Sequence, residues 1–384
     1  MLAKILDVIR KDSVEPTFYT YRQIVVNKKK GGKRMINIPS VPLRKAQSLL
    51  LPFFHQLRTH SCAHGFVCGK SIITHAGLHI AKESILTVDI EDFFGNITSE
   101  HLENVFRNHG IQYSEDIDLL IKLTTINNKL PQGAPTSPVL SNAVAFDMDF
   151  DLNEWAVKNN LTYSRYADDM VFSSETRTIE KSCIYEVSQI TQKFGFKLNN
   201  SKTRILPRGK RQVVTGLVVN TKLNVKREYL RNTSAILHNI LNNPFNALSQ
   251  VSRGTVYSTF LSYEKKYLSR SLPLKSLHYL IKHQRIQKKL INPTRIRLSQ
   301  KYFNLLYLPL FRLLLLLQGV NGRISFISSV LGEDKISVQR LRNQFKEIEK
   351  VLFGNYSINW STNTTRLYKN ILRECPQLRT RIKG

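Results

Sequence analysis

The chain has 384 residues, 42% of them hydrophobic, which excludes a disordered segment or a lone small module and leaves room for subdomains around a large core. Its formal net charge is +29, with a pI near 10.0. A charge so far from zero repels itself in the compact state and points to a polyanion as the working partner.

In chain order, MLAKILDVIRKD is a short apolar run broken by charge; it lacks the long apolar stretch of a secretory signal and reads as a helix. Tyr21–Val26 and Met35–Ile38 are strand-like and flank the basic turn 28–34, so they predict a hairpin with charge at its tip. Residues 41–60 are predicted helical, with Leu43, Ala46, Leu49, Leu50 and Phe53 on one buried face. Ser84–Val88 is an apolar strand ending at Asp89, and a helix follows at about 99–108. Leu130–Pro138 is a Gly/Pro loop that launches a helix over Val139–Trp155, with Ser137 as N-cap and Pro138 in the first turn. Thr162–Tyr166 and Met170–Ser173 form a hairpin with Ala-Asp-Asp at its tip. A helix over 178–194, a turn at Gly195, an extended segment Lys197–Leu206 and a strand Val213–Asn220 complete the first part. Beyond 221 the pattern is helical. Pro309 and Arg312 interrupt the apolar run Phe303–Val320, which favours a buried helix pair over Leu305–Leu317 rather than a membrane span. Mixed strands and helices followed by helices predict an α+β domain with a helical appendage.

Charge is unevenly placed. Residues 1–220 hold 28 Lys/Arg and 21 Asp/Glu, and residues 221–384 hold 29 and 7. Four cysteines, Cys62, Cys68, Cys183 and Cys375, form no C-x-x-C pair, which fits a reducing compartment without a disulfide framework. Cys62, His64, Cys68, His75 and His79 crowd one stretch, but their spacings match no common structural zinc pattern.

Nucleotidyl transfer needs hard divalent cations held by carboxylates at the ends of adjacent strands. Asp89 ends one strand, and Asp168 and Asp169 tip a hairpin. If those strands are neighbours, three acids converge and their repulsion calls for a bound cation.

The residues around these acids carry a resemblance. Tyr166-Ala167-Asp168-Asp169 resembles the Y-x-D-D signature of reverse transcriptases. Leu130-Pro131-Gln132-Gly133, continuing to Ser137-Pro138 and Leu140-Ser141-Asn142, resembles their L-P-Q-G block. Asp89-Ile90-Glu91-Asp92-Phe93-Phe94 is similar to their first metal-binding motif, and Phe196–Thr203 to the Gly-turn and Lys segment that follows. Val214-Thr215-Gly216 resembles the V-T-G signature of retron enzymes, and His75-Ala76-Gly77-Leu78-His79 their N-A-x-x-H element, with His75 in place of Asn. His64-Gly65-Phe66 is similar to both retron and group II intron enzymes.

The resemblance implies a right-hand polymerase. Residues 1–220 would be fingers and palm, 221–345 a basic helical thumb that binds RNA, and 346–384 a short extension. It implies two Mg2+ ions, with Mn2+ as a substitute, on Asp89, Asp168 and Asp169. Phe94 would exclude a 2′-hydroxyl, Gln132 would pack on the incoming nucleotide, and Arg34 with Lys33 would hold its triphosphate. Lys202 would protonate the leaving pyrophosphate. Val214, Thr215, Gly216, Lys265, Lys266 and Arg270 would contact nucleic acid, the last three among the interleaved Tyr229, Tyr257, Tyr263, Tyr267 and Tyr279.

For a retron enzyme the resemblance further implies a bacterial, cytoplasmic protein with no membrane partner. Its partners would be a cognate structured non-coding RNA, the branched RNA–DNA product, deoxynucleoside triphosphates and an effector protein of the same operon. A second reading is another defence-associated or group II-intron-like reverse transcriptase. A third is a catalytically silent RNA-binding protein, against which the presence of Asp89, Asp168, Asp169, Phe94 and Gln132 together speaks.

Overall fold

The structure, a computed structural model, describes residues 2–12, 16–27, 32–242 and 309–353, with single positions at 358 and 361. The chain divides into two compact units, Met1–Asn224 and Val225–Gly384, where the sequence reading drew its boundary after residue 220.

In the first unit, β1 (Tyr21–Asn27) and β2 (Lys33–Pro39) pair antiparallel, with Asn27 opposite Lys33. Residues 28–31 of the expected basic turn lie outside the described residues. A second sheet holds β3 (Ser84–Asp89), β4 (Thr162–Tyr166), β5 (Asp169–Ser174) and β6 (Arg204–Pro207) in the order β4-β5-β3-β6, antiparallel throughout. β3, SILTVD, is a central strand buried over nearly its whole length, and Ile85, Leu86 and Val88 supply its apolar side chains. Helices α1 (Leu2–Asp12), α2 (Val41–Phe54), α3 (Ile72–Gly77), α4 (Ser99–Asn108) and α5 (Ser114–Thr124) precede the Gly/Pro loop, and α6 (Ser137–Val144), α7 (Phe146–Lys158) and α8 (Ser182–Lys193) follow it. The shared core draws Leu50 and Phe54 from α2, Phe106 from α4, Leu120 from α5, Leu140 from α6, Leu152 from α7 and Leu86 and Phe172 from the sheet.

Several expectations change. Leu49 is 52% exposed, and the buried arc of α2 takes in Gln47 instead. Gln47 is affordable there because its amide donates to the Leu123 carbonyl at 2.8 Å and to the Tyr21 hydroxyl at 2.9 Å. The single helix over Val139–Trp155 is two, separated at Ala145, where ψ opens to 2°. Ser137 is the first residue of α6 and not its cap. Its hydroxyl donates to the Pro131 carbonyl at 2.7 Å and so fastens the preceding loop. Val213–Asn220 is not one strand but a tight hairpin, β7 (Val213–Val214) and β8 (Leu217–Val218). Thr215 and Gly216 take φ of 43° and 89°, the two positive values a primed hairpin turn requires. α5 was not among the expected elements, although Glu115 and Asp116 open it and Lys122 closes it in the sense its dipole favours.

In the second unit, α9 (Arg227–Asn242) is followed, after the undescribed residues, by helices Pro309–Leu331 and Ile336–Phe353. Leu237, Ile240, Leu317, Val320, Ile324, Leu341, Phe345 and Ile348 are buried. From Pro309 onward the expected pair over Leu305–Leu317 is one helix: Pro309 opens it rather than breaking it, since a first-turn residue needs no N–H partner. Residues 303–308 lie outside the described residues, and no described helix is long and apolar enough to cross a membrane.

Candidate active site

Antiparallel pairing sets Asp89, the last residue of β3, directly opposite Asp169, the first of β5. Asp168 sits in the two-residue turn between β4 and β5, and its carbonyl accepts the Ile90 amide at 3.0 Å. Ala167, the other turn residue, holds φ at 57°. Two interactions keep it there. Arg165 Nη1 donates to its carbonyl at 3.0 Å, and Gly65 lies so close that a Cβ would stand 2.6 Å from the Ala167 nitrogen.

The acids press on one another. Burial, then the Asp89 charge, raises the Asp168 carboxyl above its ordinary value. Burial, then Asp168 and Asp89, holds Asp169 up at about 6, although its side chain reaches solvent: the flanking strands wall off much of the surrounding water. Lys202 supplies the local cation. Its Nζ donates to Asp89 Oδ1 at 2.8 Å and Oδ2 at 2.7 Å. Burial works against the ammonium, but the bond and charge of Asp89 outweigh it and raise its pKa. The segment before Lys202 is a turn rather than a strand. Asn199 donates its amide to the Asp89 carbonyl at 2.8 Å, and its side chain accepts the Ser201 amide at 3.1 Å, an Asx turn that lifts Lys202 to the carboxylate. With Asp89 turned to Lys202, no three His, Cys, Asp or Glu side chains among the described residues gather around one point as a ready metal cage.

The Gly/Pro loop is bonded to the β1–β2 hairpin. The Asn37 amide donates to the Gln132 carbonyl at 2.7 Å. Gly133 holds φ at 119°, and a Cβ there would stand 2.7 Å from the Asn37 carbonyl oxygen, so the close approach requires glycine. Lys33 and Arg34 are exposed at the start of β2, and the Arg34 charge is among those that lower the Asp168 carboxyl. Phe94 is half-buried between Phe93, 5.6 Å away by ring centroids, and Phe66, 6.4 Å away. A cavity of about 350 Å³ joins Asp89, Asp169, Tyr166 and Lys202 to Ile72, Val213, Thr215 and Gly216. Thr215 and Gly216 thus line the same cavity as the carboxylates, whereas the Val214 side chain is buried and does not line it. Lys265, Lys266 and Arg270, with Tyr257, Tyr263, Tyr267 and Tyr279, lie outside the described residues.

The family described as "Reverse transcriptase (RNA-dependent DNA polymerase)" matches residues 26–254, a span that contains all of these acids. The chain belongs to the reverse transcriptase family. Its similarity runs to the retron branch. The retron Mx162 reverse transcriptase of Myxococcus xanthus is 32% identical over 255 residues, covering 57% of this chain and 52% of that one. The retron Mx65 reverse transcriptase of the same organism is 34% identical over 236 residues, covering 57% and 55%. The retron Ec86 reverse transcriptase of Escherichia coli is 35% identical over 229 residues, covering 58% and 70%. The chain therefore spans about half the length of the two Myxococcus relatives. The right-hand polymerase fold that the motifs implied is the fold of this reverse transcriptase family, here with the antiparallel sheet bearing the acids.

Against the strands of the acidic hairpin lies a histidine cluster that the sequence marked only as a crowded stretch. His79 is fully buried between the Ser173 and Ser164 hydroxyls, each 2.7 Å away, and so ties α3 to both strands of the acidic hairpin. His75 packs on Tyr166 at 5.8 Å and reaches Thr215 Oγ1 at 3.4 Å, while His64 reaches Thr74 Oγ1 at 2.9 Å. Cys62 bonds Asn153 across the loop at 3.1 Å. Burial drives His64 down to about 4 and His75 to about 3, and pushes His79 well below its ordinary value. The folded chain holds these rings neutral, whereas the unfolded chain protonates them below about pH 6.5. Their contribution to stability is therefore complete above pH 6.5 and is lost as pH falls toward about 4 and about 3. Asp169, held up at about 6, acts in the opposite sense, so the direct measurement is ring titration. In histidine-labelled NMR spectra, these three of the ten histidines are expected to show no ring titration between pH 8 and pH 5. Ordinary titration of all ten would mean that water reaches the cluster.

Proposed function

We propose that this chain copies RNA into DNA as a retron reverse transcriptase. It would start on a cognate structured non-coding RNA, build a branched RNA–DNA molecule from deoxynucleoside triphosphates, and act in anti-phage defence in the bacterial cytoplasm beside an effector of the same operon. The observation that carries the catalytic reading is the cross-strand pairing of Asp89 with Asp169 at the wall of one cavity, with Asp168 in the adjoining turn.

The residues fit divalent metal. Both Asp89 oxygens already hold a cation, the Lys202 ammonium, and the Asp168 and Asp169 carboxyls are raised first by burial and then by the neighbouring acids, a charge that a bound cation would offset. Mg2+ ions, two by family resemblance and replaceable by Mn2+, would be held by Asp89, Asp168 and Asp169 and would supply activation of the attacking hydroxyl and neutralisation of the leaving pyrophosphate. Lys202 neutralises Asp89 as it lies, and its proton is held more tightly than usual. Protonation of pyrophosphate by Lys202 would require it to release Asp89 first. Arg34 and Lys33 would clamp the triphosphate, Arg34 through its planar fork. Their strand is bonded to the Gln132 loop, so clamp and nucleotide platform would move as one piece. Thr215 and Gly216, on the cavity wall, would face the strand end, and Lys265, Lys266 and Arg270 would hold RNA phosphates.

Phe94 would stand against the sugar. Phe94→Ala is expected to raise ribonucleotide incorporation, relative to deoxyribonucleotide, by at least about tenfold, since a ring that occludes a hydroxyl discriminates by steric exclusion rather than by one contact. An unchanged ratio in single-nucleotide kinetics would remove Phe94 from this role. The retron assignment is tested by sequencing nucleic acid co-purified with the protein before and after debranching. DNA joined to, and complementary to, a neighbouring non-coding RNA supports it; heterogeneous RNA with no attached DNA sinks it.

A further inference from the structure

Phe66 is a large apolar side chain kept in water beside the site. It is 42% exposed, and its backbone sits at φ 63°, the left-handed region that bulky residues rarely adopt. The loop that carries it is fastened at three points. The His64 amide donates to the Arg165 carbonyl at 2.7 Å, and Asn142 Nδ2 donates to the Gly65 carbonyl at 2.8 Å. Gly65 lies against the Ala167 nitrogen too closely for any Cβ. Held this way, the Phe66 ring lies 6.4 Å from both Phe94 and Tyr166 by centroids, within the range of aromatic pairing. Backbone strain with apolar exposure persists where the surroundings over-determine it, commonly at functional sites. Phe94 has two neighbouring rings, Phe93 at 5.6 Å and Phe66 at 6.4 Å by centroids. Phe93 is 3% exposed and belongs to the core, whereas Phe66 is the solvent-exposed neighbour of Phe94.

We propose that Phe66 is a positioning residue for sugar selection: its ring buttresses Phe94 and keeps it against the 2′ position of an incoming nucleotide. The proposal rests on the reading of Phe94 as the sugar gate. Its test compares kcat/KM for one deoxynucleotide and the matching ribonucleotide across the parent, Phe66→Ala, Phe66→Leu, Phe66→Tyr, Phe94→Ala and the Phe66→Ala/Phe94→Ala double variant. Phe66→Ala is expected to lower the deoxynucleotide preference roughly two- to tenfold, the worth of one aromatic pair. Phe66→Tyr, which keeps the ring, should retain the parent's preference. Phe66→Leu, which keeps apolar bulk without the ring, should fall between, and serves if the alanine variant does not fold. In the Phe94→Ala background, Phe66→Ala should change nothing further, because it acts through the ring already removed. An unchanged preference in Phe66→Ala beside a relaxed Phe94→Ala overturns the proposal and leaves the gate standing. So do effects that multiply in the double variant. An unchanged preference in Phe94→Ala shows instead that the gate reading itself has failed, and the proposal with it.

Discussion

Asp168→Asn is expected to lower DNA synthesis by at least about a thousandfold while RNA binding stays within a few-fold. The amide keeps the size of the side chain but cannot supply the anionic oxygen a hard cation prefers, and the charge stabilisation forfeited is several kcal/mol. Each 1.36 kcal/mol is a factor of ten in rate. Burial, then the Asp89 charge, already raises the Asp168 carboxyl, so its anionic form carries a cost in the folded chain. RNA affinity should survive because the acids belong to the first unit, whereas most of the excess of bases lies beyond residue 220. The measurement pairs primer extension in magnesium with equilibrium binding of the same RNA. Full extension by the variant would refute the assignment of Asp168.

The largest effect on stability is expected one layer beneath. Asp149→Ala should destabilise the chain by about 3–5 kcal/mol. Asp149 and Arg165 are both wholly buried, joined from Nε to Oδ1 at 2.8 Å and from Nη2 to Oδ2 at 2.6 Å. The Tyr163 hydroxyl donates to the same carboxylate at 2.7 Å. Removing the acid strands a guanidinium in the core, where burial alone would depress its pKa and Asp149, with a smaller part from Tyr163, holds it above the ordinary value. Arg165 also bonds the Ala167 carbonyl, so its loosening should reach the turn that bears Asp168. Guanidinium unfolding of the single variant and of Asp149→Ala/Arg165→Met separates the causes. Once the stranded charge is gone, the double variant should recover part of the loss. A single-variant loss under about 1 kcal/mol would mean that water solvates Arg165.

Little of this second layer was legible beforehand. Asp149 sits on a helix and Arg165 on a strand, and neither a 3.6-residue nor a two-residue period says that they meet. Tyr163, Ser164 and Arg165 are consecutive and all buried, so strand alternation gave no hint of an inward arginine. Gln47 displaced Leu49 from the core for a similar reason: a buried amide is affordable only when distant partners, here Leu123 and Tyr21, take up its N–H donors. The break at Ala145 carries no glycine or proline, so the helical period runs straight through it. Phe66 was read only as part of the His64-Gly65-Phe66 resemblance, because its backbone φ and its approach to two rings far along the chain exist only in the fold.

Local chemistry did determine a good deal from residues alone. Apolar runs ending in Asp89 and flanking Asp168–Asp169 specified strands with acids at their ends, and the Gly/Pro loop marked a turn, because strand period, turn residues and motif spacing are short-range properties. Tertiary structure alone decided that Asp89 faces Asp169, that Lys202 spans both oxygens of Asp89, that the Gln132 loop is bonded to the strand bearing Arg34, and that buried histidines and an ion pair brace the acidic turn. Those features depend on strand order, burial and the loss of water around charge, and such quantities exist only once distant segments have packed.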